Sequence, residues 1–182
     1  MGAVRILLFI SLVVALPAWA DDGLWNLLQK GGQVILIRHT VTDPGAGDPP
    51  GFRLEDCTTQ RNLSEEGRAH ARRIGAAFRK RQVPVARVLS SPWCRCVETA
   101  KLAFGKAEVS APLSNLFGRP ENRERQVREM KSLIVRTRGN LVLVSHGSTI
   151  AALTEVYLGT GEMVIVTPDK TGFRVAGRLS LE

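Results

Sequence analysis

Short apolar runs that stop abruptly at polar residues recur along the chain and divide it into strands and helices. Val34, Ile35, Leu36 and Ile37 form an unbroken run, the pattern of a strand buried on both faces of a helix-covered sheet. Leu141, Val142, Leu143 and Val144 repeat it, and Ala86 to Ser91 is a third strand candidate. Between them the period lengthens. Ile74 and Phe78 stand four apart, with Arg68, Arg72, Arg73, Arg79 and Lys80 on the wet side, so Ser64 to Arg81 predicts an amphipathic helix started by Leu63 and Ser64. Further helices are predicted over Leu24 to Gln29, Val97 to Phe104, Pro120 to Arg138 and Thr149 to Leu158, several of them stopped by glycine. Gly161 to Leu181 alternates as a terminal hairpin does, with its turn near Asp169 to Gly172. Strands alternating with helices predict a three-layer α/β domain without internal repeats.

One long stretch, Thr42 to Asn62, has no period and is rich in Gly, Pro and Asp. Loops longer than about 12–15 residues in a compact domain are usually functional or disordered. Hanging directly from the first strand, this one is expected to be a substrate-facing lid.

The first residues follow a different pattern. Arg5 precedes an apolar core from Ile6 to Leu16, and Ala18-Trp19-Ala20 stands before Asp21-Asp22, which predicts a secretory signal cleaved after Ala20. The core is shorter than the roughly 20 residues that span a bilayer. The expectation is therefore a signal over residues 1–20, a single domain over 21–182 without a transmembrane segment, and a periplasmic location.

Charge and cysteines sharpen this picture. The whole chain carries +8; the segment to be removed holds one of its 25 basic and none of its 17 acidic residues, which leaves +7. Such a surplus favours anionic partners. With aromatics at 5% and no aromatic platform beside a basic stripe, nucleic acid is not the expected partner. A phosphorylated small molecule or an envelope surface fits better. In an oxidising compartment Cys57 is expected to pair with Cys94 or Cys96, tying the long loop to the segment around Arg95 and leaving one thiol free. No second ligand pair supports a metal site at Cys94-Arg95-Cys96. His70, among charged neighbours, reads as a surface histidine.

The candidate chemistry lies where the strands end. The first runs into Arg38-His39, the second into Ser90-Ser91-Pro92-Trp93-Cys94-Arg95, and the third into Ser145-His146-Gly147. In open α/β sheets ligands bind at the carboxyl ends of strands, so imidazoles and guanidiniums gathered there suggest chemistry on an anion. This ordered set, spanning roughly Val34 to Leu158, resembles the histidine phosphatase superfamily, and within it the small exported bacterial members such as lipopolysaccharide core heptose phosphatases. The resemblance implies the phosphoglycerate-mutase-like fold, a three-layer α/β/α sandwich with a mixed, mostly parallel central sheet. It also implies a phosphohistidine on His39, with Arg38, Arg95 and His146 around the phosphoryl oxygens. Thr42 and Asn115 are expected to contact substrate. No metal or other cofactor enters that scheme. Guanidinium forks suit phosphate, and an imidazole with an ordinary pKa near 6.5 offers a lone pair at neutral pH.

The sequence departs from the family at the general acid. Where one branch carries a glutamate, Leu113-Ser114 is followed by Asn115; where another carries an aspartate after its second histidine, Gly147 stands. Asp43, Asp48, Glu55, Asp56 and Glu121 are the replacements to consider. The expected function is an exported phosphatase of a phosphomonoester, an envelope or sugar phosphate. The alternatives are a phosphohistidine phosphatase, whose leaving group needs no acid, and a non-catalytic binder of phosphate ligands.

Overall fold

The computed structural model describes residues 19–181. The expected signal therefore lies outside the described residues except for Trp19 and Ala20, which open the first helix, α1 (Trp19–Lys30). There follow β1 (Val34–Arg38), α2 (Glu65–Lys80), β2 (Arg87–Ser90), α3 (Cys94–Phe104), β3 (Glu108–Val109), α4 (Arg123–Val135), β4 (Leu141–Ser145), α5 (Gly147–Thr154), β5 (Met163–Pro168) and β6 (Phe173–Leu179). No helix among the described residues is long and apolar enough to cross a membrane.

The six strands form one sheet in the order β3-β2-β4-β1-β5-β6. β3, β2, β4 and β1 pair in parallel, while β5 runs antiparallel to both β1 and β6. Only β5 opposes the common direction, so the sheet is mixed and mostly parallel. Alternate residues of each central strand serve two cores. Ile35, Ile37, Val142 and Val144 face Trp25, Leu28, Ile74, Phe78 and Ala100 of α1, α2 and α3. Val34, Leu36, Leu141 and Leu143 face Met130, Ile134 and Ile150 of α4 and α5. A strand between two helical layers has no wet side, which is why the runs are unbroken.

Local signals place the helices. Ser64 Oγ accepts from Gly67 N at 3.1 Å, Glu65 and Glu66 occupy the first turn of α2, and Arg79 and Lys80 the last, matching the helix dipole. Gly67 also lets α2 approach the chain leaving β1; a Cβ there would collide with the Val41 carbonyl oxygen. The structure departs from expectation at several ends. α3 begins at Cys94, three residues early, which puts Arg95 in its first turn. The two-residue β3 is wholly exposed and carries no apolar signal. α4 is shorter at both ends than Pro120 to Arg138, and Pro120–Asn122 forms a separate 3-10 turn before it. α5 stops at Thr154 because Glu155 turns left-handed at φ 60°, and Thr154 Oγ1 then accepts from Val156 N at 3.2 Å.

Candidate active site

Pairing in the sheet brings the three strand exits together. β4 lies between β1 and β2, with Ser145 opposite Arg38 and Val144 opposite Ser90. His39 N then donates to Ser145 O at 3.0 Å and Ser91 N to Val144 O at 2.9 Å, so the ladder continues one residue past each strand. The His39 and His146 ring centroids lie 5.5 Å apart. Arg95 arrives from the first turn of α3. These residues and Arg38 line one cavity of about 470 Å³ at the carboxyl edge of the parallel strands.

Hydrogen bonds orient the imidazoles. His39 Nδ1 lies 2.9 Å from Thr40 O, and because a carbonyl only accepts, Nδ1 carries the proton and the lone pair resides on Nε2. Burial lowers the His39 pKa to about 3; the Thr40 bond opposes this, and the charges of Arg95, Arg38 and Arg61 add to it. His146 Nε2 is 2.8 Å from Ser91 Oγ, and the Trp93 ring meets this imidazole edge-on at 5.2 Å. Burial, then His39, Arg95 and Arg38, hold His146 well below its ordinary value. Both rings are neutral at neutral pH. Cys96 Sγ lies 3.5 Å from His146 Nε2, and burial pushes its thiol up to about 12, so it is no thiolate.

Three guanidiniums face the same space. Arg95 is 2% exposed at its side chain and is gripped by Asp48. Burial works to raise the Asp48 carboxyl, but the bond and charge of Arg95, with help from Arg61 N and Trp93 Nε1, bring it below its ordinary value. Arg38 Nη1 donates to Leu158 O at 2.8 Å. Arg61, which the sequence reading overlooked, donates to Gly45 O and lines the cavity. Its loop also holds Arg53, and nothing in the order of residues tells which arginine turns inward. The Nε of Arg38, Arg61 and Arg95 is in each case buried without a partner; among the described residues His70 Nε2 is the one other such side-chain atom. Three guanidiniums and the Asp48 carboxylate leave two positive charges beside two neutral imidazoles.

Other expectations fare unevenly. Asn115 lines the cavity, its Oδ1 accepting from Ser148 Oγ at 2.9 Å and from Phe117 N at 3.1 Å. Thr42 does not; it bridges to Leu63 and so aligns the start of α2. Of the candidate acids, Asp48 is committed to Arg95, and Asp56 caps the Cys57–Thr59 turn while pairing with Arg53. Asp43, Glu55 and Glu121 lie elsewhere, and among the described residues no carboxylate lines the cavity. Cys57 is bonded to Cys94, which leaves Cys96 as the free, buried thiol. This bridge, the Cys94 N bond to Gln60 Oε1 at 3.0 Å and Asp48 pin the long loop as a wall of the cavity, to which Gly45, Ala46, Gly47 and Arg61 belong. His70 is not a surface residue: it is half-buried, its ring against Gly161, whose N–H serves the carbonyls of Arg38 and His39. Among the described residues no group of three or more His, Cys, Asp or Glu is placed to hold a metal.

Comparison with known proteins agrees with this fold. Residues 34–115 match the family described as histidine phosphatase superfamily (branch 1). No curated protein matches the chain in sequence. Among solved structures, it is similar to the protein histidine phosphatase SixA complexed with tungstate, at 17% identity and a TM-score of 0.61 over 81% of this chain and 96% of that one. It is similar to a phosphoserine phosphatase from Entamoeba histolytica in complex with 3-phosphoglyceric acid, at 14% identity and 0.63 over 82% and 98%. A putative phosphohistidine phosphatase SixA from Agrobacterium tumefaciens follows at 21% and 0.59 over 83% and 99%. At such identities the likeness is one of fold. The family match takes in the Arg38-His39 and Arg95 motifs, and the shared fold extends beyond it, so the segment 34–115 is similar to the histidine phosphatase superfamily, branch 1, within a fold of that kind.

Proposed function

We propose that this chain is a phosphatase that carries a phosphoryl group on His39 between a phosphomonoester and water. The observation that carries this reading is the set of buried, unpartnered Nε–H groups on Arg38, Arg61 and Arg95 around one cavity. Buried donors are ordinarily satisfied, and three on one cavity mark an anion site. Tungstate, the ligand in the SixA complex, is likewise a tetrahedral oxyanion. Two net positive charges match a phosphomonoester dianion.

His39 Nε2 attacks phosphorus, the P–O bond to the leaving group breaks, and its electron pair departs with that oxygen. Water then attacks the phosphohistidine and returns the imidazole. Fixed guanidiniums stabilise charge on the phosphoryl oxygens at both steps. With no carboxylate among the described residues that line the cavity, the leaving oxygen takes its proton from water, which favours stable leaving groups. The same fact supports phosphohistidine as a second class of substrate, since a phosphorylated imidazole leaves without help. Location follows the same lines: the apolar segment before Asp21 and the Cys57–Cys94 bridge support export to an oxidising compartment, where an envelope or sugar phosphate is the natural substrate.

The test is to incubate the chain beginning at Asp21 with an aryl phosphate. Turnover that His39→Ala abolishes, with an acid-labile phosphoryl group trapped on the unmutated protein, is the expected result. Phosphate binding without turnover or trapped phosphohistidine would replace this reading with the non-catalytic binder.

A further inference from the structure

The cavity has a charged inner end and an aromatic mouth. His39, His146 and Arg95 are nearly sealed from solvent, whereas Phe117 is 74% and Tyr157 82% exposed. These are the two most exposed of the large hydrophobic residues among those described, and both line this cavity. Exposed apolar rings beside an anion site suit contact with what the anion is attached to.

A second hollow of about 490 Å³ adjoins the first, and Ser148 and Tyr157 line both. Its other walls include Arg123, from the first turn of α4, and Glu155, the residue that ends α5. The backbone on either side of Tyr157 is anchored near the divide. The left-handed Glu155 precedes it, and Leu158 O after it accepts from Arg38 Nη1, so a phosphate-facing arginine also anchors the aromatic rim.

Cavities of about 300–1,000 Å³ take ligands of drug size, far larger than a phosphoryl group. When the phosphoryl group sits among the guanidiniums, its substituent must leave through the mouth. The geometry points to a leaving-group subsite for ring-bearing phosphates, in which Phe117 and Tyr157 cover the flat face of the ring and Arg123 and Glu155 meet its polar far edge. This inference rests on the phosphatase reading only for which end of the ligand enters first. A sugar and an aromatic ring share the flat face; only the sugar supplies hydroxyls to Arg123 and Glu155 in the second hollow.

Phosphonates, which the enzyme does not cleave, test the subsite independently of turnover. Binding of methylphosphonate, benzylphosphonate and the phosphonate analogue of glucose 6-phosphate is measured by calorimetry on the unmutated protein, Tyr157→Ala and Arg123→Ala. The ring-bearing ligands should bind about tenfold more tightly than methylphosphonate, and Tyr157→Ala should erase most of that difference. Loss of the sugar preference alone in Arg123→Ala assigns the site to sugars; a preference confined to benzylphosphonate assigns it to aromatic rings. Equal affinity for all three, or an equal loss for all three in Tyr157→Ala, would overturn the subsite and leave the phosphatase reading standing. A ring preference in a protein that turns over no ester would keep the subsite and overturn catalysis.

Discussion

Asp48 holds Arg95 by both oxygens, Oδ1 at 2.6 Å from Nη1 and Oδ2 at 3.2 Å from Nη2, with both side chains almost sealed from water. Trp93 Nε1 donates to the same carboxylate at 3.0 Å and Arg61 N at 3.1 Å. One loop carboxylate thus sets the Arg95 guanidinium, the indole packed on His146 and the backbone of Arg61. In the proposed reaction this carboxylate would position the phosphate donors and leave the protonation of the leaving group to another source.

Asp48→Ala should therefore slow turnover by a similar factor for good and poor leaving groups, whereas loss of a general acid would penalise poor ones more. Removing one partner of a buried ion pair costs about 3–5 kcal/mol, and the variant should lose stability on that scale. Rates across a series of aryl phosphates, with denaturant unfolding of the same variant, check both expectations. A penalty that grows with leaving-group pKa would reassign Asp48 as the acid.

The bridge between Cys57 and Cys94 closes a separation of 37 residues, within which lies Arg61, whose backbone N–H binds Asp48. A closure of that length contributes about 3–4 kcal/mol by chain entropy. Reduction, or Cys57→Ser, should lower the denaturation midpoint by a corresponding amount and weaken phosphate binding, because the bridge fixes Arg61 against the cavity. Calorimetric titration of phosphate with and without reductant measures this, and unchanged affinity would show that the remaining hydrogen bonds hold the wall unaided.

Both site imidazoles are buried neutral, which fixes the sign of a pH effect. Below about 6.5 the unfolded chain takes up protons on these residues. Folded His39 resists until about 3, and His146 is likewise lowered. The unfolded state then binds more protons, so stability present above about pH 6.5 is lost as pH falls toward 3. Unfolding free energies measured from pH 7 downward should decline, and the His39 and His146 ring resonances should not titrate between about pH 5 and 8. A His39 midpoint near 6.5 would mean that its burial is not maintained in solution.

Asn115 sits on the cavity wall where the family's acid is expected, hydrogen-bonded to Ser148. Asn115→Glu should raise turnover of alkyl phosphates while changing aryl phosphates less, because general acid help is worth about 10²–10⁴-fold only where the leaving oxygen needs a proton. The same charge should raise KM by repelling the phosphate dianion. Steady-state kinetics on a paired alkyl and aryl substrate separate the two effects; an equal change in both would place residue 115 out of reach of the leaving oxygen.

The runs at Val34 and Leu141, the capped helix after Ser64 and the terminal hairpin are legible in the sequence because burial on both faces and helical period leave direct marks on residue order. So is the convergence of Arg38, His39, Arg95 and His146 on one cavity, since each ends or closely follows a strand and the sheet carries strand ends to one edge. Tertiary structure alone decided that Cys57 bonds Cys94, that Asp48 serves Arg95, that Arg61 and not Arg53 turns inward, and that Phe117 and Tyr157 form the mouth. Loops have no period, so which side of a loop residue faces the site depends on contacts with elements remote in the chain. Those contacts exist only once the sheet has placed β1, β2 and β4 side by side.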